Sequence, residues 1–488
     1  MTQVLDNPAV GIAERGLVIG DARVTRTGGG TREMVYAGTG EVQAEMPWAS
    51  TAEIDQAVAA AKAALPVWRA TSPDTRGRIL HRLAEILERD AERLGELLVR
   101  ESGRTITESV QEVHQAASWT RYFAGWTDKL DGRVVPTQAG VEGLNYVVYE
   151  PYGVVAVLPP YNVGFLSQGM KTAPALAAGN TVVVKPSDLT PFTAVAFAEA
   201  ALEAGMPPGV LNVVTGGPVE GDYLVRHPDV AKVTFTGGTP TARKILTAAA
   251  DLNKPVTLEL GGKGANIVFP DADLDKAAPF ALVVGALAAT GQGCILGTRL
   301  FVHDDIYDEM EQRLIQLSSY FQVGDPLNPE TRLGAVVSEG HRERIMGVID
   351  RANAEGAGRL VFGGNRADRD GYFINATLFG DVDNDSHLAQ EEVFGPVLSM
   401  LRFSTEEEVI AKANNIQYGL TNYIQTRDVS RAHRVAAQLE SGTVSVNGIS
   451  GLSPAAPFGG VKRSGIGSEG GYSGIMEFVH PKSIFIGN

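Results

Sequence analysis

The 488-residue chain has a single cysteine, Cys294, so no internal disulfide staples it. Its eight histidines are scattered without metal-ligand spacing, and neither a structural nor a catalytic metal is implied. Positive charge is also in deficit. Asp and Glu number 57 against 42 Lys and Arg, a net charge of −15 with no basic stripe, which excludes nucleic acid as an expected partner. The first residues, Met1 to Asp21, carry Asp6 and Glu14 and lack a basic start leading into an apolar run. No secretory signal is expected, and the expected location is cytoplasmic.

Long apolar runs are scarce as well. Ala277 to Thr298 is uncharged over about one membrane-helix length, yet it holds Pro279, four glycines, Gln292 and two threonines. Its strongly apolar part ends near Ala289, which reads as a buried helix running into a polar loop. Pro151 to Met170 is broken by Pro159, Pro160 and Asn162. No membrane span is therefore expected. No repeat or low-complexity tract is evident. A 44% hydrophobic, 20% charged composition of this length suits two or three compact units with buried cores.

Helical spacing of Ile54, Ala57, Val58, Ala61, Ala64, Leu65 and Trp68 predicts an amphipathic helix over Thr51–Trp68. The same pattern, through Ile79, Leu80, Leu83, Ile86, Leu87 and Leu94, predicts a second over Arg76–Leu98. From Val154 short apolar runs alternate with helical segments: Val154–Leu158, Thr181–Val184, Leu211–Val214, Lys232–Thr236 and Val256–Leu260. Continuous apolar strands need cover on both faces, and parallel neighbours need crossover helices, so this is an α/β rhythm with a largely parallel sheet. Ligands of such sheets sit at the carboxyl ends of the strands. Residues 132–150 read as two strands joined by a glycine-containing turn, a protruding hairpin. A second α/β region runs from about Phe301 to Val446, with helices over Ile306–Leu317 and Glu406–Ala413.

Three features carry chemistry. A lone cysteine is more often a small buried hydrophobe than a nucleophile, but Cys294 ends Thr290-Gly-Gln-Gly-Cys, a polar loop whose N–H groups would stabilise a thiolate. Glu259, in Leu258-Glu-Leu-Gly-Gly-Lys263, lies at a strand's carboxyl end before a glycine turn, as a general base or as a solvated carboxylate. Asn162, in Leu158-Pro-Pro-Tyr-Asn, follows another strand, as an oxyanion donor or as an Asn in a Pro-rich turn.

Together with Lys185-Pro-Ser-Asp188, Phe235-Thr-Gly-Gly-Thr239, Glu391-Glu-Val-Phe-Gly-Pro396 and Pro457-Phe-Gly-Gly460, these motifs follow one order and spacing. In that respect the chain resembles the aldehyde dehydrogenase superfamily from about residue 30 to its end. The resemblance implies that Cys294 attacks an aldehyde, that Asn162 and the Cys294 N–H hold the oxyanion, and that Glu259 activates water, giving a free acid. It implies NAD as cofactor, because Asp188 stands where NAD-preferring members carry glutamate; NADP stays open, since Ser187, Asp188 and Thr190 also read as caps of a helix begun by Pro191.

Lys185 resembles the lysine that meets the adenosine ribose, and Gly237, Gly238 and Thr239 the pyrophosphate turn at a helix start. Pro160, Tyr161, Gly217 and Leu260 are implied cofactor contacts, as are Glu392 and Phe394 at the nicotinamide end. Two residues depart from the family: Gly238 replaces the usual serine and Tyr161 the usual tryptophan.

Val163, Leu166, Ser167, Met170, Gly293, Ile295, Leu452 and Phe458 are implied to line the substrate funnel. They are mostly apolar, without Arg or Lys, so an uncharged hydrophobic aldehyde is expected, whether aromatic, terpenoid or medium-chain aliphatic; small Val163 and Gly293 leave room for bulk.

The expected architecture is α/β: a Rossmann-like parallel-sheet cofactor domain (1–131 and 152–261), an α/β catalytic domain (262–463), and a small β oligomerisation arm (132–151 and 476–488). The hairpin and the strand Lys482–Ile486 resemble the family's arms and imply a homodimer or a homotetramer. A cofactor-independent cysteine esterase and a non-catalytic dinucleotide-binding protein are the alternatives, the latter needing none of Cys294, Glu259 and Asn162.

Overall fold

The computed structural model describes residues 15–449 and 452–487. Most of the N-terminal stretch considered above for a secretory signal lies outside the described residues. Two large sheets dominate. In the first, five parallel strands run in the order Leu211–Val213, Thr181–Val184, Val154–Leu158, Val230–Thr236, Val256–Glu259. The chain starts at the middle strand, steps outward twice, then returns to the other side. This leaves a topological switch point between Val154–Leu158 and Val230–Thr236, where their neighbouring carboxyl ends open a crevice.

These strands are apolar without alternation because both faces are covered. Val155, Val157, Val182 and Val184 pack against the helices Pro73–Arg89, Ala91–Ser102, Ile106–Ala124 and Phe192–Glu203. Val154, Ala156, Leu158 and Val183 pack against Thr51–Ala70, Pro218–Arg226 and Thr239–Ala250. Each edge of the sheet carries an antiparallel strand: Leu17–Ile19 on one side, Gly465–Ile466 beside Leu258 and Glu259 on the other.

The second sheet is parallel from Thr377–Gly380 through Val397–Phe403, Arg299–His303, Ala265–Val268 and Thr421–Gln425 to Thr443–Val446, with Arg359–Phe362 antiparallel at its edge. It begins at Ala265, well before the Phe301 start expected from sequence, because the strand at Ala265–Val268 is short and directly follows the glycine turn. The helix expected over Arg76–Leu98 is two helices, Pro73–Arg89 and Ala91–Ser102. Asp90 leaves helical geometry at φ −101°, ψ 12°, and its carboxylate takes Arg89 and Arg93. Both segments bury their apolar faces in one core, so the periodicity runs through the break unseen.

Among the described residues, Leu274–Gly291 is the one helical segment long and apolar enough to cross a membrane. Its residues Ala277, Ala281, Leu282, Ala286 and Leu287 pack instead against Leu300, Val302, Met310 and Leu398. The helix widens to i→i+5 hydrogen bonding over Val283–Leu287 before it ends at the loop of Cys294. The expected hairpin forms only two residue pairs of its own, Arg133 with Val147 and Val134 with Tyr146. The longer partner of Gly143–Pro151 is the strand Val479–Gly487, which runs antiparallel along its whole length.

Trp68 is fully buried, and its indole N–H donates to the Leu176 carbonyl at 3.0 Å, fastening the first long helix to the segment before Thr181–Val184. Trp68→Ala is expected to cost about 3–5 kcal/mol in urea unfolding. Trp68→Phe, which removes the indole donor while the Gly179 N–H stays on the Leu176 carbonyl at 3.0 Å, should cost about 0.5–1.5 kcal/mol. A parental midpoint in Trp68→Phe would contradict the contribution of that hydrogen bond.

Candidate active site

The carboxyl end of the first sheet faces the amino end of the second across the turn Leu260–Gly264. A Cβ on Gly262 would lie 2.2 Å from the Cys294 carbonyl oxygen, and one on Gly261 would lie 2.3 Å from the Glu392 carboxylate. Only glycines let the chain pass between those two loops, and the Gly262 N–H donates to Glu392 Oε1 at 2.8 Å.

The loop before Cys294 is wound through the left-handed region at Ala289 (φ 51°), Thr290 (φ 57°) and Gly291 (φ 73°). For the two non-glycine residues this conformation is strained and must be held from outside. Asn162 does part of the holding: its side chain, 6% exposed, donates from Nδ2 to the Gln292 carbonyl at 2.7 Å. Gln292 in turn accepts the Val337 N–H at 3.0 Å. On the far side of the cysteine, the Ile295 carbonyl accepts from Thr421 and Tyr423, both at 2.8 Å. The amide read from sequence as an oxyanion donor thus lies two residues from the candidate nucleophile along the same loop.

Glu259 is 2% exposed, and neither carboxylate oxygen has a hydrogen-bond partner among the described residues. Burial, reinforced by Glu469, holds its carboxyl well above the usual range, while Lys171 pulls the other way. The Lys171 ammonium is buried too, bonded to Glu469 and to Thr234 Oγ1 at 3.2 Å. Burial, then Glu392 and Glu259, push the Cys294 thiol up to about 12. Sequence reasoning missed Lys171 and Glu469. The first carried a signal, as the charge that ends an otherwise uncharged run; the second, 298 positions away, carried none.

A cleft of about 520 Å³ opens at the switch point, with Asn162 and Cys294 in its wall. Of the cofactor residues named from sequence, Pro160, Tyr161, Lys185, Ser187, Asp188 and Gly217 line it, as do Gly237, Gly238, Leu260, Glu392 and Phe394. Thr239 does not. As first residue of the helix Thr239–Ala250 it sits off the facing stripe, which is formed by Thr241, Lys244 and Ile245. That helix start has no side-chain cap, which leaves N–H groups for an anion.

The capping alternative for Ser187, Asp188 and Thr190 is not what the structure contains. The helix Phe192–Glu203 is capped by the buried Glu101 carboxylate, which accepts the Phe192 N–H at 2.7 Å. Asp188 stays exposed at the cleft. Lys185 is buried, donates to the Pro186 and Gly216 carbonyls at 2.8 and 2.6 Å, and is brought down to about 8 by desolvation. Burial raises Glu392 to about 7. The uncapped helix start, the carboxylates at one end and Cys294 at the other fit a dinucleotide.

The cleft also contains His341, Arg344 and Asp222, none of them foreseen. His341 Nε2 lies 2.7 Å from the Phe394 carbonyl and 3.3 Å from the Tyr161 hydroxyl, and burial lowers the imidazole to about 4, so it is neutral. Tyr161, one of the two departures from the family, therefore packs into a cluster with His341 and Phe394.

On the other side of Cys294, Leu166, Met170 and Phe458 are buried, with Val163, Ile295 and Leu452 half-buried against the same cluster. Ile295, Leu452 and Phe458 also line a small cavity of about 40 Å³. Two funnel expectations need correction. Ser167 spends its hydroxyl on the Gly164 carbonyl at 3.0 Å, within its own helix. Gly293 adds no room, because a Cβ there would meet Leu296 at 2.9 Å.

The sequence pattern described as the aldehyde dehydrogenase family matches residues 24–484. The chain belongs to the aldehyde dehydrogenase family. It is 39% identical over 493 aligned residues to an aldehyde dehydrogenase of Alternaria alternata, covering 100% of this chain and 98% of that protein. It is 41% identical to a betaine aldehyde dehydrogenase of Rhizobium leguminosarum bv. trifolii (strain WSM2304), covering 95% of each. Among solved structures, the NAD+ complex of an aldehyde dehydrogenase from Bacillus cereus superposes with a TM-score of 0.94 at 36% identity, over 97% of this chain and 96% of that one.

In a family that oxidises aldehydes with a nicotinamide cofactor, the raised thiol has a measurable consequence. Alkylation of Cys294 by iodoacetamide in the free enzyme should climb with pH, about tenfold per unit between about pH 7 and 10, because the thiolate fraction is still growing there. A plateau below about pH 9 would show a thiol not raised by its surroundings.

Proposed function

We propose that this dehydrogenase oxidises an uncharged hydrophobic aldehyde, aromatic, terpenoid or medium-chain aliphatic, to its carboxylic acid with NAD. The observation that supports this reading is that Cys294 and Asn162 share the wall of the cleft, while the buried, unpartnered Glu259 carboxylate lies near enough to weigh on the Cys294 thiol.

Cys294 Sγ attacks the carbonyl carbon as its proton passes to Glu259, whose raised affinity for protons suits it to that task. The carbonyl π electrons move to oxygen, and the Asn162 amide with the Cys294 N–H holds the resulting oxyanion. When bound, the nicotinamide accepts the hydride that the substrate carbon gives up. Cys294 is left as a thioester. Glu259, having released the thiol's proton to solvent, then draws a proton from water as the water oxygen attacks the thioester carbon; the C–S bond breaks, that proton passes from Glu259 to sulfur, and the acid departs from a restored thiol.

For the cofactor, Lys185 and Asp188 would meet the adenosine ribose and the uncapped start of Thr239–Ala250 the pyrophosphate, with Glu392 and Phe394 at the nicotinamide end. Asp188 and Asp222, both lining the cleft, disfavour a 2′-phosphate. Cofactor domain 1–131 with 152–261, catalytic domain 262–463 and arm 132–151 with 476–488 are the proposed units. Exposed Val134, Leu144, Phe485 and Ile486 on the arm support its use in a homodimer or homotetramer. A cytoplasmic location fits the single cysteine.

Glu259→Gln is expected to keep a near-stoichiometric NADH burst while steady turnover falls by about 10²-fold or more. Unimpaired turnover in a rapid-mixing assay would remove Glu259 from deacylation. In an NADH-formation screen, kcat/KM for octanal or benzaldehyde should exceed that for succinic semialdehyde by about tenfold or more. Betaine aldehyde should be equally poor, since quaternary ammonium groups call for an aromatic cage and the funnel is mainly aliphatic. The reverse order would overturn the hydrophobic assignment. NAD should be preferred to NADP by about tenfold or more.

A further inference from the structure

The helix Ile106–Ala124 lies outside the cofactor cleft, yet its first two turns reach both loops that carry the candidate catalytic groups. Glu108 Oε1 accepts the Ala289 N–H at 2.9 Å, at the residue where the left-handed run before Cys294 begins. Its other oxygen is held by the Thr105 hydroxyl at 3.2 Å. One turn further on, Glu112 is 2% exposed and accepts the Phe165 and Leu166 N–H groups at 3.0 and 3.2 Å, which fixes the chain just after Asn162. Its second oxygen takes the Arg104 guanidinium, and Arg104 also donates to the Asn162 carbonyl at 2.9 Å. The circuit is closed by the Asn162 amide on the Gln292 carbonyl.

We propose that Glu108, with the Arg104–Glu112 pair, is a positioning clamp that sets the nucleophile loop and the oxyanion amide in register with each other; this rests on the roles proposed above for Cys294 and Asn162. None of the three touches the cleft. Two things favour positioning over mere stability. Glu108 meets the loop at a strained non-glycine residue, where an acceptor selects one backbone conformation among several. The clamp also holds both loops from one rigid helix, and an error of an ångström between reacting groups is costly to rate while cheap in packing.

Glu108→Ala removes the acceptor; Glu108→Gln keeps an oxygen that can accept from Ala289. In Glu108→Ala the rate of the NADH burst should fall by about tenfold to a hundredfold, and the rate of Cys294 alkylation should depart from that of the parent enzyme. The Kd for NAD, read by quenching of intrinsic fluorescence, should change by less than about twofold, since the cleft residues are untouched. Glu108→Gln should recover the burst to within about threefold. A parental burst rate in Glu108→Ala, or equal impairment in both variants, would overturn the clamp. Should Glu108→Ala be recovered unfolded, Thr105→Val reads the same point: it keeps the carboxylate but frees its second oxygen, and an unchanged burst would count against the proposal. Cys294→Ala separates the two levels. Residual dehydrogenase activity there would overturn the underlying reading, whereas an inactive Cys294→Ala beside a normal Glu108→Ala would overturn the clamp alone.

Discussion

The hydrogen bond from the Asn162 side chain to the Gln292 carbonyl is the contact on which the site depends. Asn162 follows the first strand of one sheet, and Gln292 belongs to the loop that leads into the second. Each sheet has a core of its own, and a further core on the first sheet takes in Leu420 and Phe458 from the second region. What joins two α/β layers at the candidate active site is that the turn at the switch point of one grips the strained loop of the other. The glycine pair Gly261–Gly262 makes the approach close enough, since a side chain at Gly262 would run into the Cys294 backbone and one at Gly261 into the Glu392 carboxylate.

Charge around the thiol explains why chemistry waits for its partners. Glu259 and Glu392 both disfavour a thiolate, and burial does so more strongly. A permanent thiolate would be open to oxidation and alkylation. Here the sulfur is held as a thiol with Glu259 near enough to weigh on it, and in the proposed reaction its nucleophilicity is drawn out when that carboxylate takes the proton. Lys171, tied to Glu469, keeps the buried negative charge from accumulating around Glu259.

The α/β rhythm was legible in sequence because buried parallel strands read as unbroken apolar runs, and each of the five runs is a strand to within two residues at either end. Glu259 and Asn162 stood out because each follows a strand beside glycine or proline, and Cys294 because its glycine-containing polar loop ends an apolar helix. Lost to sequence was whatever depends on direction or on long separation. Gly293 reads as space, but its missing side chain points at Leu296. Thr239 belongs to the right turn but the wrong helical face, and Asp90 breaks a helix without disturbing its amphipathic period. Glu101 caps a helix 91 positions away, a job that the nearer Ser187, Asp188 and Thr190 seemed placed to do.

The short strand Gly465–Ile466 closes the edge of the first sheet beside Glu259, and the residues around it complete the surroundings of the carboxylate. The Leu260 N–H donates to the Ser464 carbonyl, Ser464 Oγ donates to the Gly261 carbonyl at 2.7 Å, and Glu469 sits against Lys171. On the ribosome these residues emerge long after Cys294 and the residues that line the cleft. A nascent chain therefore carries its thiol and its cleft before it has the segment that completes the surroundings of Glu259.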